Sequence, residues 1–455
     1  MIPICVRNPI SKTVLLTSKK PSMPLPQKSE QPIDIKEYYS VNIGALWKGL
    51  RKEHISFWFL CAYFLFEYVR PQILYPSIDV LPWAFLFMLL ALAAAFADKS
   101  VVWVGNPLNK LFVVMAIIIV LSGIFSYYPM VSWKDRNTML TWVIVYFLLT
   151  SIVNTERRLI LFLCAYLLFN LKMGQHGAYD WMRRGFSFAS YGLIGSPGWF
   201  RNSGEFAIQM LIFGSLAIAF CVSFMEYWGR FKKWIFLICA STGYISVIGA
   251  SSRGSQLALA IIVVWGLFKI RGGIKFLIVV IALAVALYHL LPEEQIKRFE
   301  DSGDDTTSLQ RLAYWKIGIE LAKENPVLGI GYGNWMPYVS KLYPEGVGPL
   351  KIVQVPHSIY IQAAAEMGYT GLFWFVLMIL SAFYVNAKTR KIIKGSNKNY
   401  ITFISFGLDA GLVGFIVAGA FVTVLYYPFF WIQIAMIAML NNVASRLAKE
   451  EPKNL

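Results

Sequence analysis

The chain has 455 residues, of which 57% are hydrophobic and only 15% charged, with a mean hydropathy of +0.56. A soluble domain would carry about a quarter charged residues, so this composition excludes an ordinary soluble enzyme and points to a polytopic membrane protein. The net charge of +17 is high enough to suggest nucleic acid. The basic residues, however, fall where loops are retained in the cytoplasm, so no nucleic-acid partner is expected.

Residues 1–53 are expected to be a basic tail. Its first part, rich in Pro, Lys and Ser, lacks the apolar run of a cleavable signal peptide and is expected to be unstructured. Lys36–Lys52 reads as a basic helix lying on a membrane surface. Apolar segments then follow at approximately 55–70, 80–97, 109–126, 137–153, 159–171, 203–224, 234–250, 254–268, 275–291, 369–386, 400–421 and 428–446. Their length argues for about twelve spanning helices in an all-α fold, since a barrel would show short alternating strands. Transmembrane helices thus occupy 54–291 and 369–446, with a loop domain at 292–368 and a short tail at 447–455.

With the N-terminus placed in the cytoplasm, 27 of the 42 Lys and Arg residues fall on the cytoplasmic side. Of the remaining 15, seven lie in the one long loop. Both termini are therefore expected inside. The connection 172–201, the turn at Arg253 and the loop 292–368 then share the outer side. A loop that long is functional or disordered. Here Thr307–Gln310 reads as a capping box, Leu309, Leu312, Ile319 and Ala322 recur at helical spacing, and Asn325-Pro326 stops the run. A small helical cap over the membrane domain is expected.

Arg253 interrupts an otherwise continuous apolar stretch. An arginine at mid-bilayer costs roughly 2.5–3.5 kcal/mol, so it belongs at an interface or in a wet cavity. Arg201 and Arg311 are the other outer-side arginines near helix starts. Guanidinium binds phosphate through paired hydrogen bonds, and Arg201-Asn202-Ser203-Gly204-Glu205 opens a helix whose amides favour anions. The alternative for each is an arginine reaching for the interface. The four histidines are His54, His176, His289 and His357. Only His357, in Pro356-His357-Ser-Ile-Tyr360, stands at the mouth of a helix re-entering the bilayer. It suits proton transfer from a hydroxyl; otherwise it is a polar cap. Glu366 and Tyr360 are supporting candidates, Glu366 as a backbone cap or the partner of an arginine. Asp409 lies deep in a span and is read as a helix-pairing residue. Asp301, Asp304 and Asp305 form an acidic turn that is a weak metal candidate. Cys61, Cys164, Cys221 and Cys239 fall in apolar segments and Cys5 in the tail, without a CxxC. They imply neither a disulfide framework nor a cysteine metal site. No metal and no cofactor are expected.

Taken in order, several elements resemble the O-antigen ligase and polymerase superfamily. They are Ser252-Arg253-Gly254, Arg311-Leu-Ala-Tyr-Trp-Lys, Asn325-Pro-Val-Leu-Gly329-Ile-Gly-Tyr-Gly333, Pro356-His357-Ser-Ile-Tyr360 and Glu366-Met-Gly368-Tyr-Thr-Gly371, spread over roughly 200–385. The resemblance implies a glycosyltransferase with a GT-C-like fold in the bacterial inner membrane, its active site facing the periplasm. It implies an undecaprenyl-diphosphate-linked glycan as donor and a lipid A–core sugar as acceptor in a ligase, another carrier-linked repeat in a polymerase, or a protein hydroxyl in a protein O-glycosylating relative. It also implies His357 as base and Arg253 and Arg311 as diphosphate ligands, with Arg201 a looser match. A transporter of lipid-linked glycans would use the same scaffold, but would place charge through the bilayer centre, where only Asp409 lies deep.

Overall fold

The computed structural model describes residues 34–188, 192–269, 278 and 305–450. The tail up to residue 33, nearly all of the span expected at 275–291, and the loop from 292 to 304 lie outside the described residues. So do Cys5, His289, Asp301 and Asp304.

All regular structure among the described residues is helical. The segment expected to form one surface helix over 36–52 is two, Ile35–Tyr39 and α1 (Ile43–Arg51). They break at Val41, whose φ is +51°. On α1, Ile43 and Trp47 are exposed beside Lys48 and Arg51, an arrangement suited to a membrane surface. The apolar helices then run α2 (Ile55–Tyr68), α3 (Trp83–Ala97), α4 (Pro107–Ile124), α5 (Arg136–Ile152), α6 (Glu156–Arg183), α7 (Ser203–Phe224), α8 (Arg230–Gly249) and α9 (Arg253–Lys269). Two more polar helices follow, α10 (Thr306–Glu324) and α11 (Trp335–Leu342). The last apolar helices are α12 (Ile359–Ile393), α13 (Asn399–Ala418) and α14 (Pro428–Glu450). Among the described residues, seven helices are long and apolar enough to cross a membrane, and four shorter apolar ones accompany them.

The burial pattern is that of a protein solvated by lipid. α14 is almost wholly enclosed and α7 largely so. On α12 the exposed positions include Tyr369, Phe373, Val376, Leu380 and Tyr384, and on α4 they include Val113, Ile117, Val120 and Ile124. These are apolar stripes at helical spacing. Exposed to water, stripes this extensive would be a liability; facing hydrocarbon, they are the expected surface. The protein is an all-α polytopic membrane protein.

The ends of the bundle differ in chemistry. At one end a buried ionic cluster joins Glu53 to Arg157 and Arg158, and Arg158 to Asp98. Beside it Glu156 is bound by Lys398, Tyr39 and Tyr400. Asp409 accepts a hydrogen bond from Asn386 and pairs with Arg390, both at 2.7 Å, so it ties α13 to α12. This is the helix-pairing role expected of it. The other end carries α10, α11, the connection 419–427 and the starts of α7, α9 and α12.

Two sequence expectations differ from the structure here. The sequence places the fifth apolar segment at 159–171, followed by a loop. Instead α6 continues to Arg183, because Gly174 and Gly177 let Thr242 and Ser246 of α8 pack against its backbone. The helix cap at Thr307 is displaced by Asp305, whose carboxylate accepts from the amides of Thr307 and Ser308. Aspartate caps as well as threonine or better, and here it also meets an arginine. Of the residues at helical spacing in α10, Leu309, Leu312 and Ile319 are exposed, and the buried face is made by Gln310, Tyr314, Ile317, Leu321 and Ala322. An apolar pattern beside a membrane does not separate residues facing protein from residues facing lipid.

The helix expected directly after His357 begins at Ile359 and includes the apolar span expected at 369–386, but it breaks at Gly368, where φ is +68° and ψ −175°. The break frees carbonyls, and the glycine-rich stretch satisfies them. The amide of Ile330 donates to Ala365 O and that of Gly331 to Glu366 O, while Tyr369 donates to Pro326 O. This contact requires glycine at both places. A Cβ on Gly329 would come within 2.4 Å of the Glu366 carbonyl carbon, and one on Gly368 within 2.6 Å of Pro326 O. Asn334 then fastens the stretch to the α4–α5 connection, accepting from Tyr128 N and donating to Ser132 Oγ.

Candidate active site

Four chain segments meet at the non-cytoplasmic end of the sequence-based topology. The first is the start of α9. Ser251 is left-handed (φ +55°), and the turn it makes sets Arg253 at the first position of the helix. The second is the start of α10, where Asp305 performs a double task. Its carboxylate caps the helix and also pairs with Arg253 at 3.0 Å. Burial alone would raise the Asp305 pKa, but hydrogen bonds from Arg253 and Ser308 hold it well below the usual carboxylate range. Asp305 is therefore an anion that orients Arg253. Its role as a metal ligand is not what this geometry shows.

One and a half turns further along α10 comes Arg311. Its Nε is buried and has no hydrogen-bond partner among the described residues. Burial lowers its pKa, and the nearby charge of Arg253 lowers it further, partly opposed by Asp305. A buried, unpaired guanidinium donor is costly, on the order of 1–3 kcal/mol. Two guanidiniums close enough to repel one another form a place where an anion is favoured.

His357 comes from the third segment, just before α12. Its backbone is left-handed (φ +50°), a conformation that a non-glycine residue adopts only when its surroundings impose it. Here they do. Thr423, in the connection between α13 and α14, accepts from the His357 amide at 2.7 Å, and Trp315 of α10 donates to Pro356 O at 3.1 Å. The ring lies beside Tyr314, and burial together with the charge of Arg311 pushes the imidazole down to about 4. It is therefore neutral at neutral pH, with a free lone pair on one nitrogen.

The fourth segment is the start of α7. Asn202 and Glu205 form a capping box there, and Gly204 lies against Val422 and close to Ser252. Arg201 is exposed at this corner, and its charge bears on Glu205 and Tyr427. The structure thus brings Arg253, Arg311 and His357 into one electrostatic group and leaves Arg201 at its margin.

The two supporting candidates point elsewhere. Tyr360 donates its hydroxyl to Ile416 O on α13. Glu366 is buried, accepts from the amide of Trp335 and from Gln362, and so caps α11 and braces the helix break. Of the histidines outside the site, His54 caps α2 and His176 is exposed on α6. Sequence reasoning missed Asp305 as partner of Arg253, and Thr423 and Trp315 as the holders of His357. Asp305 had a usable signal, since an aspartate just ahead of Thr-Thr-Ser is a helix cap. Thr423 had none, because it lies 66 residues from the histidine that it positions.

Residues 235–376 match the family model described as O-Antigen ligase. The matched region contains Arg253, Arg311 and His357 together with the glycine-rich stretch and the helix break. Over this region the chain is similar to the O-antigen ligase family. It is also similar to the exopolysaccharide production protein ExoQ of Rhizobium meliloti (strain 1021), with 28% identity over 112 residues. That alignment covers 24% of this chain and 25% of ExoQ. Arg201 lies outside the family match, as do α1 to α7.

Proposed function

We propose that this chain is a glycosyltransferase that moves a glycan from a polyprenyl diphosphate carrier to an acceptor hydroxyl. The observation that supports it best is the group formed by Arg253, Arg311 and His357, with two cations beside a neutral imidazole. In this reading the acceptor oxygen bonds to the anomeric carbon of the donor sugar. The bond from that carbon to the diphosphate oxygen breaks, and its electron pair leaves with the diphosphate. Arg253 and Arg311 meet the charge that develops there. His357 takes the proton from the acceptor hydroxyl. Bound diphosphate would offset the charge of Arg311, so the imidazole becomes a stronger base once the donor is in place. The arginines supply the charge neutralisation for which other transferases use a divalent ion, so the reaction is read as metal-independent and without a cofactor.

The carrier is read as undecaprenyl diphosphate and the location as the bacterial inner membrane, with the site facing the periplasm. The bias of Lys and Arg toward the opposite end supports that orientation. We assign the acceptor as a sugar hydroxyl of lipid A–core, which makes the enzyme an O-antigen ligase. A second reading has its own support: the similar protein ExoQ is named for exopolysaccharide production. In that case the acceptor is another carrier-linked repeat and the enzyme is a polymerase. The lipopolysaccharide of a deletion strain separates the two. Loss of a ligase leaves bare core while long polymer remains on its carrier. Loss of a polymerase leaves core bearing a single repeat. An unchanged pattern of both lipopolysaccharide and exopolysaccharide would remove both readings.

A further inference from the structure

A concave site opens at the same end of the bundle, lined by residues other than those around His357. It is a cavity of about 320 Å³ between the end of α2, the approach to α3, the start of α5 and the segment leading into α7. Trp83, Trp142 and Trp199 line it together with Arg70, Gln72 and Asp79. Aromatic plates with a few polar groups among them mark a site for a ligand that is apolar on its faces and polar at its rim. A lipid tail would leave the charged members of this wall unpaired.

Three observations indicate that the site is built for a ligand. Arg70 is left-handed (φ +54°, ψ +59°) and stands directly before Pro71, which disfavours helical backbone at that position. Its guanidinium lies over Gly198, where a Cβ would approach to 2.1 Å, so the chain makes room for this side chain. Gln72 has its Oε1 buried with no partner, in a protein class where buried polar atoms are normally satisfied. The three indole N–H groups, by contrast, are all taken. Trp199 donates to the buried carboxylate of Glu67, Trp142 to Tyr426 O and Trp83 to Ile78 O. The rings are held fixed from their polar edges, and ring surface is what they present to the cavity. Trp199 also lies 4.8 Å from the ring of Tyr427, in the same connection whose Thr423 holds His357.

We propose that this cavity is a saccharide subsite, in which a pyranose stacks its C–H face on an indole and hydrogen-bonds to Gln72 Oε1 and the Arg70 guanidinium. This rests on the glycan-transfer reading above and adds where a sugar of one substrate is held. The glycan of the donor and that of the acceptor share this chemistry, and two probes tell them apart. One is the repeat oligosaccharide released from its carrier by mild acid. The other is core oligosaccharide freed of lipid A.

Each probe is titrated calorimetrically into the full chain in lipid nanodiscs, for the wild type, Gln72→Leu and Trp83→Leu. One probe is expected to bind the wild type. The lost hydrogen bond in Gln72→Leu should weaken that probe about threefold to tenfold, with the melting temperature unchanged because no protein partner is lost. Trp83→Leu should weaken it further. The probe affected names the substrate whose sugar is held. Wild-type affinity in both variants, or an active enzyme that binds neither probe, overturns the subsite while leaving the transferase reading in place. Displacement of the probe by a sugar-free polyprenyl phosphate makes the cavity a lipid groove and likewise overturns it. A wild-type protein that neither transfers nor binds glycan removes the transferase reading, and the subsite with it.

Discussion

His357 is held in a left-handed backbone between a threonine and a tryptophan contact, with its ring neutral and half-buried beside a cation. General-base assistance is worth roughly 10²–10⁴-fold. His357→Ala should reduce transfer by that order while donor binding persists, as measured with defined donor and acceptor alongside donor titration. Transfer at the wild-type rate would strike it from the mechanism. The pH dependence follows from the sign of its shift. Burial and Arg311 depress the imidazole to about 4, so the base form is present from neutral pH down to that value and is lost below it. The acid limb of kcat/KM should therefore lie near pH 4 in the wild type. Removing a cation favours the protonated ring, so Arg311→Gln should move the limb upward; a limb that stays or moves down contradicts the coupling. For the arginines, a hydrogen bond to a charged group contributes about 1.5–3 kcal/mol. Arg253→Lys and Arg311→Lys should each weaken donor use about tenfold to a hundredfold, since lysine keeps the charge but lacks the planar fork. Full activity in both would show that only charge matters.

Among the elements, the break in α12 does most to shape the site. It joins the short helical stretch that begins beside His357 to the long apolar span that follows it, and the glycine-rich stretch locks it by backbone hydrogen bonds. Gly368→Ala would force a Cβ into Pro326 O at an unfavourable φ, at a cost on the order of 1–3 kcal/mol. A clear drop in melting temperature in detergent is expected, and an unchanged melting curve would mean the break can be relieved elsewhere. The start of α10 is readable as a helix from its polar cap pattern, but the cap is Asp305 and not Thr307. The cap went to the residue that could also pair with Arg253, and that pairing crosses 52 residues of chain.

At the scale of the whole molecule, the two ends of the bundle separate two kinds of charge. Glu53, Asp98, Arg157 and Arg158 neutralise one another at one end, whereas Arg253 and Arg311 crowd together at the other. The orientation in the membrane is testable with reporter fusions after residues 320 and 395. Both termini inside require the first fusion to be outside and the second inside. A reporter active only in the cytoplasm that responds at 320 would invert the arrangement and place the site on the cytoplasmic face.

Composition and the length of apolar runs were enough to identify an all-helical membrane protein, because spanning a bilayer demands roughly 20 apolar residues whatever the fold. Local chemistry was also enough to single out Arg253, Arg311 and His357, since a charge or an imidazole at the edge of an apolar run is conspicuous. Their meeting was not legible in the sequence. It depends on a helix break closed by distant glycines, on Asp305 reaching back to Arg253 and on Thr423 holding the histidine amide, all contacts between residues far apart in the chain. The marginal place of Arg201, the turning of Tyr360 and Glu366 toward structural partners, and the indole-lined cavity at Arg70 were decided likewise. A sequence pattern records which residues favour an interface, but only packing determines which of them share one.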